Sequence, residues 1–351
     1  MIPDETPPRE PSSRSWVGRL LKVGLTVATV YFTWHFLARS NLDWALLSAR
    51  VAEASRPYLA LGIGLLVLRF GIWDWRFRLA AHRAVGRSSG VLLGVFVLIA
   101  SAALNLVTPT VRLIGGLMRA RFWSRSTGHS FGFFYGVVLY DQMAHHTMMT
   151  LCTWITLIVA SFALGRPWLG IAALVALLGT IVWLIVWSRR RGPSGMNPIV
   201  RFLARRAEKA EGRLRKLFAH GHEAVGVFVH LLGYVPLRFQ VLALGVLYFF
   251  VNAGAQWAMF AAIGAPVHPL VVIAVVALGN AVGTVTGTPG GLGTTELAMV
   301  ASFKALGVDE VAAAAGTLLF RGLHYAAVLA IGLPALGLLE LKMGKEEVEE
   351  P

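Results

Sequence analysis

From Leu270 to Ala305 the chain is apolar enough for hydrocarbon, yet Gly287-Thr288-Pro289-Gly290-Gly291-Leu292-Gly293-Thr294-Thr295-Glu296 lies in its middle. A proline, several glycines and a carboxylate do not suit a lipid-facing helix. A bilayer core has no water to satisfy backbone N–H and C=O groups. Broken backbone survives there only if protein buries it or it borders a wet cavity. An ionisable residue beside such a break is a candidate functional group. The fold must therefore cover the break and give Glu296 a partner.

The rest of the chain agrees with a membrane setting. Hydrophobic residues make up 56% of it and charged residues 14%, too apolar for an ordinary soluble domain. The net charge of +14 sits in short basic segments between apolar runs. The positive-inside rule and contact with anionic lipid explain that pattern better than nucleic acid does. The single cysteine, Cys152, lies in an apolar run, so no disulfide framework or thiolate metal site is expected. No small-residue cleavage site follows the first apolar segment, which reads as a retained span.

The organisation follows from these runs. Residues 1–16 are polar, proline-rich and read as a disordered cytoplasmic start. Residues 17–88 carry spans at Val17–Leu37 and Pro57–Trp75, an interfacial helix at Asn41–Ser55, and a basic loop with Arg76, Arg78, Arg83 and Arg87. Residues 89–187 hold Val91–Val107, stopped at Pro109, then an arginine-rich return and the spans Phe131–Leu164 and Trp168–Trp187. Residues 188–236 are a basic segment. Its Ile199, Leu203, Ala207, Ala210, Leu214 and Leu217 repeat at helical spacing, as in an amphipathic helix on the inner leaflet. Residues 237–341 hold a span at Phe239–Ile263, the broken segment and a last span at Val311–Leu341, and residues 342–351 are an acidic cytoplasmic tail.

Placing every basic loop in the cytoplasm forces Val91–Arg121 to cross an even number of times, so it reads as a re-entrant hairpin entering from inside. On the same count Leu270–Leu306, if it too is re-entrant, enters from outside; the alternative is that both breaks are packing kinks. The expectation is an all-α, polytopic membrane helical bundle whose two re-entrant hairpins form an inverted-topology repeat. Asn105 before Pro109 and Gly115-Gly116 is echoed by Asn280 before Pro289 and Gly290-Gly291.

Candidate residues cluster at the breaks. Gly279, Gly283, Gly287 and Gly291 recur every fourth residue and form one smooth helix face, which reads as packing. Thr294 or Thr295 is placed to cap the departing half-helix. Glu296 in its first turn is favoured by the dipole, either as a cap, as a functional carboxylate or as both. Arg321, with His324 and Tyr325 one turn on, lies deep in the last span and is the expected partner of Glu296. Arg112 and Arg119 flank the first break and suit a phosphate headgroup; Arg121 and Arg125 read as plain loop charge. Asp141 and His145 are one turn apart on a single face, either as a proton relay or as polar glue. His145 and His146 lack further ligands at metal spacing, so no metal or cofactor is expected.

The stretch PGGLGTTELAMVASFKALGVDEVAAAAGTLLFRGLHYAAVLAIGLPAL resembles the last part of the lysylphosphatidylglycerol synthase transmembrane region, also called the flippase-like or UPF0104 family. Its Pro-Gly-Gly-x-Gly run, following Glu and later Arg fall on Pro289, Gly290, Gly291, Gly293, Glu296 and Arg321. Asn105, Pro109, Gly116 and Arg119 look like the family's first motif. At the fourth helix the family has an acidic-Arg pair and a later Asp, and this chain has Asp141-Gln142 and His145. The resemblance implies a lipid-translocating module of the inner membrane. Its cargo is an anionic or modified lipid of aminoacyl- or polyprenyl-phosphate type. The alternatives are a membrane subunit or enzyme of lipid or glycolipid biosynthesis, with Asp141, His145 and Glu296 as its acids and bases, or a non-catalytic assembly partner. The aminoacyltransferase domain of the lipid-synthesising members has no counterpart here, so a separately encoded lipid- or glycan-modifying enzyme is a possible partner.

Overall fold

The computed structural model describes residues 44–86, 90–108, 113–163, 165, 167–189, 198–285 and 289–349. Among them are twelve α-helices and no strand: α1 Trp44–Ala52, α2 Arg56–Val85, α3 Val91–Val107, α4 Leu113–Thr127, α5 Phe131–Ala163, α6 Pro167–Arg189, α7 Pro198–Lys209, α8 Gly212–Leu232, α9 Val235–Ala262, α10 Pro269–Val285, α11 Thr294–Ala305 and α12 Glu310–Glu349. The span expected at Val17–Leu37 lies outside the described residues.

By length and composition, four described helices are fit to cross a membrane: α2, α5, α9 and α12. Their outward faces are apolar, with Val67, Phe239, Phe250 and Leu338 all exposed. An apolar exterior of this extent marks a surface that meets lipid rather than water. The chain is a multi-pass membrane protein. Its interior is where the polar groups collect. Arg69, Asp74, Arg76, Arg119, Asp141, Asn252 and Gln256 are all buried.

The sequence reading needs correction at several helix ends. The second span does not stop at Trp75 but runs to Val85, where Gly86 closes it in the left-handed conformation (φ 75°). Arg76 is therefore a buried helical residue, not a loop charge. Arg83 lies over the ring of Tyr234, 3.5 Å from its centroid. The amphipathic stripe from Ile199 to Leu217 is not one helix: α7 ends at Lys209 and α8 starts afresh at Gly212, whose φ is 57°. The last span continues through Pro334 to Glu349, so most of the acidic tail is helical.

Two helix pairs fold back on themselves. Between α3 and α4 the Gly115 N–H donates to Asn105 Oδ1 at 2.9 Å. A Cβ on Gly115 would collide with the Ser101 carbonyl. Between α10 and α11, Gly279 faces Met299 and Gly283 faces Thr295; one helix advances four residues as the other retreats four, so they run antiparallel. The second approach uses the expected glycine face through Gly279 and Gly283; Gly287 lies outside the described residues. The first helix of each pair has 17 residues. That is about 25 Å at 1.5 Å per residue, short of the ~30 Å hydrocarbon core.

The end of α3 rests on the break of the second pair. Pro289–Gly291 forms a 3₁₀ turn with Gly290 at φ 59°, Gly291 at 73° and Gly293 at 79°. Other residues reach that left-handed region only at a cost of about 1–2 kcal/mol, which accounts for the glycine spelling. Leu106, at the end of α3, fills the space where a Gly290 side chain would stand.

Candidate functional site

The break is held from α12. Arg321 Nε donates to Glu296 Oε1 at 2.6 Å, and its Nη2 donates to the Gly290 carbonyl at 3.1 Å. Nη2 also donates to the Tyr325 hydroxyl, which donates in turn to Glu296 Oε1 at 2.7 Å. Glu296 is the third residue of α11, where the helix dipole favours a carboxylate. The expected pairing of Glu296 with Arg321 is present. The expected threonine cap is not. Gly293 is the N-cap and carries no side-chain capping bond, because the left-handed turn ends there. Thr295 packs against Gly283 and Gly291 instead.

One turn along α12, His324 meets a residue that the sequence reading passed over. Arg69, in the middle of α2 and 6% exposed, donates to Asn252 Oδ1 of α9 at 2.5 Å. Its Nη2 lies 2.7 Å from His324 Nδ1. A guanidinium only donates, so Nδ1 must accept, which leaves this imidazole neutral with its proton on Nε2. Both partners of Arg69 are uncharged. Among the described residues no carboxylate pairs with it.

A second cluster surrounds Asp141 of α5, which is 1% exposed. Arg76 Nε donates to its Oδ1 at 2.7 Å. Arg119 of α4 donates to Oδ2 through both terminal nitrogens, at 3.3 and 3.2 Å, and Trp73 Nε1 donates to the same oxygen at 3.2 Å. Arg76 Nη1 lies 3.2 Å from His145 Nδ1, so this imidazole is also neutral by the same argument. Trp73 stacks on His145 with 6.1 Å between ring centres. Asp74 and Arg78 pair with each other at 2.9 Å. Arg69, Trp73 and Arg76 recur at spacings of four and three, so α2 offers all three from one face.

The two clusters border adjoining cavities. The first has a cavity volume of about 40 Å³ and is lined by Arg76, Arg119, Asp141, Gln142 and His146, among others. The second, about 100 Å³ and partly open, is lined by Arg69, Tyr248, Gly290, Arg321, His324 and Tyr325. Trp73, Asn105 and His145 are walls of both.

Most of the sequence candidates thus converge: Asn105, Arg119, Asp141, His145, Gly290, Arg321 and His324 line this space, and Glu296 braces it. Asn280 does not; its side chain contacts Met149 of α5, 3.8 Å from the sulfur. Gly291, Gly293 and Thr295 shape the turn, and Pro289 opens it. Pro109 and Arg112 lie outside the described residues. Arg69, Arg76 and Asn252 were missed. The depth rule that singled out Arg321 applies equally to Arg69, which also has apolar neighbours on both sides. Among the described residues, no three His, Cys, Asp or Glu side chains are grouped to hold a metal ion.

None of the curated proteins compared with the chain matches it. The family model described as the lysylphosphatidylglycerol synthase TM region matches residues 19–332, which takes in every helix contributing to the two cavities. Covering most of the chain, that match settles its kinship: the protein belongs to the family of the lysylphosphatidylglycerol synthase transmembrane region.

Proposed function

We propose that the protein moves a lipid with an anionic headgroup between the leaflets of the cytoplasmic membrane. The observation that carries this reading is a set of guanidiniums, Arg69, Arg76, Arg119 and Arg321, bordering adjoining cavities inside an apolar exterior. An arginine at such depth costs about 2.5–3.5 kcal/mol on insertion scales, which an anionic ligand offsets. The headgroup enters the polar interior while the acyl chains stay in lipid. The two fold-backs serve as re-entrant hairpins from opposite faces, and rocking of the halves that contain them exposes the cavities alternately. The basic segment that includes α7 faces the cytoplasm, as do both termini.

The test is lipid movement in reconstituted vesicles. Fluorescent phosphatidylglycerol or polyprenyl phosphate is expected to become accessible to an outside quencher only when the protein is present. Arg69→Gln and Arg321→Gln are each expected to slow this at least tenfold. Movement at the protein-free rate across both lipids would overturn the proposal.

A further inference from the structure

We infer that the headgroup carries two phosphoryl charges in succession, as in a lipid-linked diphosphate. This rests on the transport reading above and narrows its cargo. Asp74 and Arg78 cancel each other. His145 and His324 accept from arginines and are neutral. What remains around the cavities is four guanidiniums, Arg69, Arg76, Arg119 and Arg321, against two carboxylates, Asp141 and Glu296. Among the described residues, two positive charges are left without a counter-charge.

The surplus is divided between compartments. In the first cavity Arg76 and Arg119 share Asp141, leaving one charge over. In the second, Arg321 is matched by Glu296, and among the described residues nothing charged matches Arg69, again leaving one. Arg69 is 94% buried by difference from its 6% exposure, and its Nε has no partner among the described residues. Trp73, Asn105 and His145 bound both compartments, so the two surplus charges lie in adjoining spaces. A lone phosphodiester leaves one guanidinium uncompensated. A cationic aminoacyl headgroup leaves both and adds a third positive charge to a desolvated space, where unpaired charge is most costly. Guanidinium is the side chain suited to phosphoryl oxygens, through its fixed fork of donors.

The experiment compares ligands on the full chain in phosphatidylcholine vesicles, read by binding and by leaflet exchange. The ligands are a polyprenyl diphosphate, phosphatidylglycerol and lysylphosphatidylglycerol, with inorganic pyrophosphate and inorganic phosphate as competitors. The diphosphate is expected to bind at least tenfold tighter than phosphatidylglycerol, with lysylphosphatidylglycerol weakest. Pyrophosphate, not phosphate, is expected to compete. Arg69→Gln is expected to bring the diphosphate-to-phosphatidylglycerol ratio close to one, and Arg69→Lys to preserve it. Should Arg69→Gln fail to fold, Glu296→Gln supplies the opposite arm: it adds one surplus charge and is expected to widen the ratio.

Equal or tighter binding of phosphatidylglycerol or lysylphosphatidylglycerol overturns the inference. Free pyrophosphate binding as tightly as the lipid form overturns its lipid-linked part. Exchange of lipid without a diphosphate preference sinks this inference and leaves transport standing. A diphosphate preference without any exchange does the reverse.

Discussion

Asp141 takes hydrogen bonds from Trp73 and Arg76 of α2 and from Arg119 of α4, so three helices meet on one carboxylate. Asp141→Asn leaves two buried guanidiniums without their counter-charge. The expected loss is about 3–5 kcal/mol, the usual cost of breaking a buried pair. It should be read as a lowered unfolding midpoint in detergent, with Asp141→Glu recovering part of it. Arg321→Ala is expected to cost a similar amount, because it frees both Glu296 and the Gly290 carbonyl. Pairing Arg321→Ala with Glu296→Ala should cost less than the two changes summed, as coupled neighbours do. The pair Glu296–Arg321 was legible in the sequence because both residues are out of place in an apolar run. Arg76 was not legible: it stands at the edge of such a run, where a snorkelling arginine and a buried one look alike. Only the partner across space, Asp141 on another helix, tells them apart.

At the scale of elements, the breaks are what the sequence spells out most clearly. Proline and left-handed glycines end a helix for local reasons, and local reasons need no neighbours. Helix ends without such punctuation were misplaced. The edge of hydrophobicity at Trp75 looked like the end of α2, but the helix runs another ten residues to Val85, with Arg76 buried against Asp141. In α7 and α8 the apolar spacing continued past the point where α7 ends and α8 starts afresh. Periodicity reports which face is apolar, not whether the helix is continuous. The fold-back of α3 on α4 depends on contact at Gly115. Gly115→Leu is expected to abolish leaflet exchange and lower the yield of monodisperse protein, since Ser101 and Asn105 already occupy that space. Gly64→Ala of α2, whose Cβ meets nothing within 4 Å, is the matched control and should change neither.

For the whole molecule, the proposed topology makes a labelling prediction. In a Cys152→Ala background, Gly90→Cys and His129→Cys flank the first fold-back and are expected to react with an impermeant maleimide from the same face. His268→Cys and Lys304→Cys flank the second and should react from the opposite face. Labelling of Gly90→Cys and His129→Cys from different faces would mean that α3 and α4 together cross the bilayer, and the re-entrant reading fails. The overall layout also bears on how such a chain is able to change over generations. Asn105 fastens Gly115 through its side-chain oxygen and also forms a wall of both cavities. Folding and cargo therefore press on the same amide. A substitution there has no neutral path. A lineage that switches lipids has to vary the cavity elsewhere, at positions such as Gln142, His146 or Tyr248, which line one compartment only and leave the stitch intact.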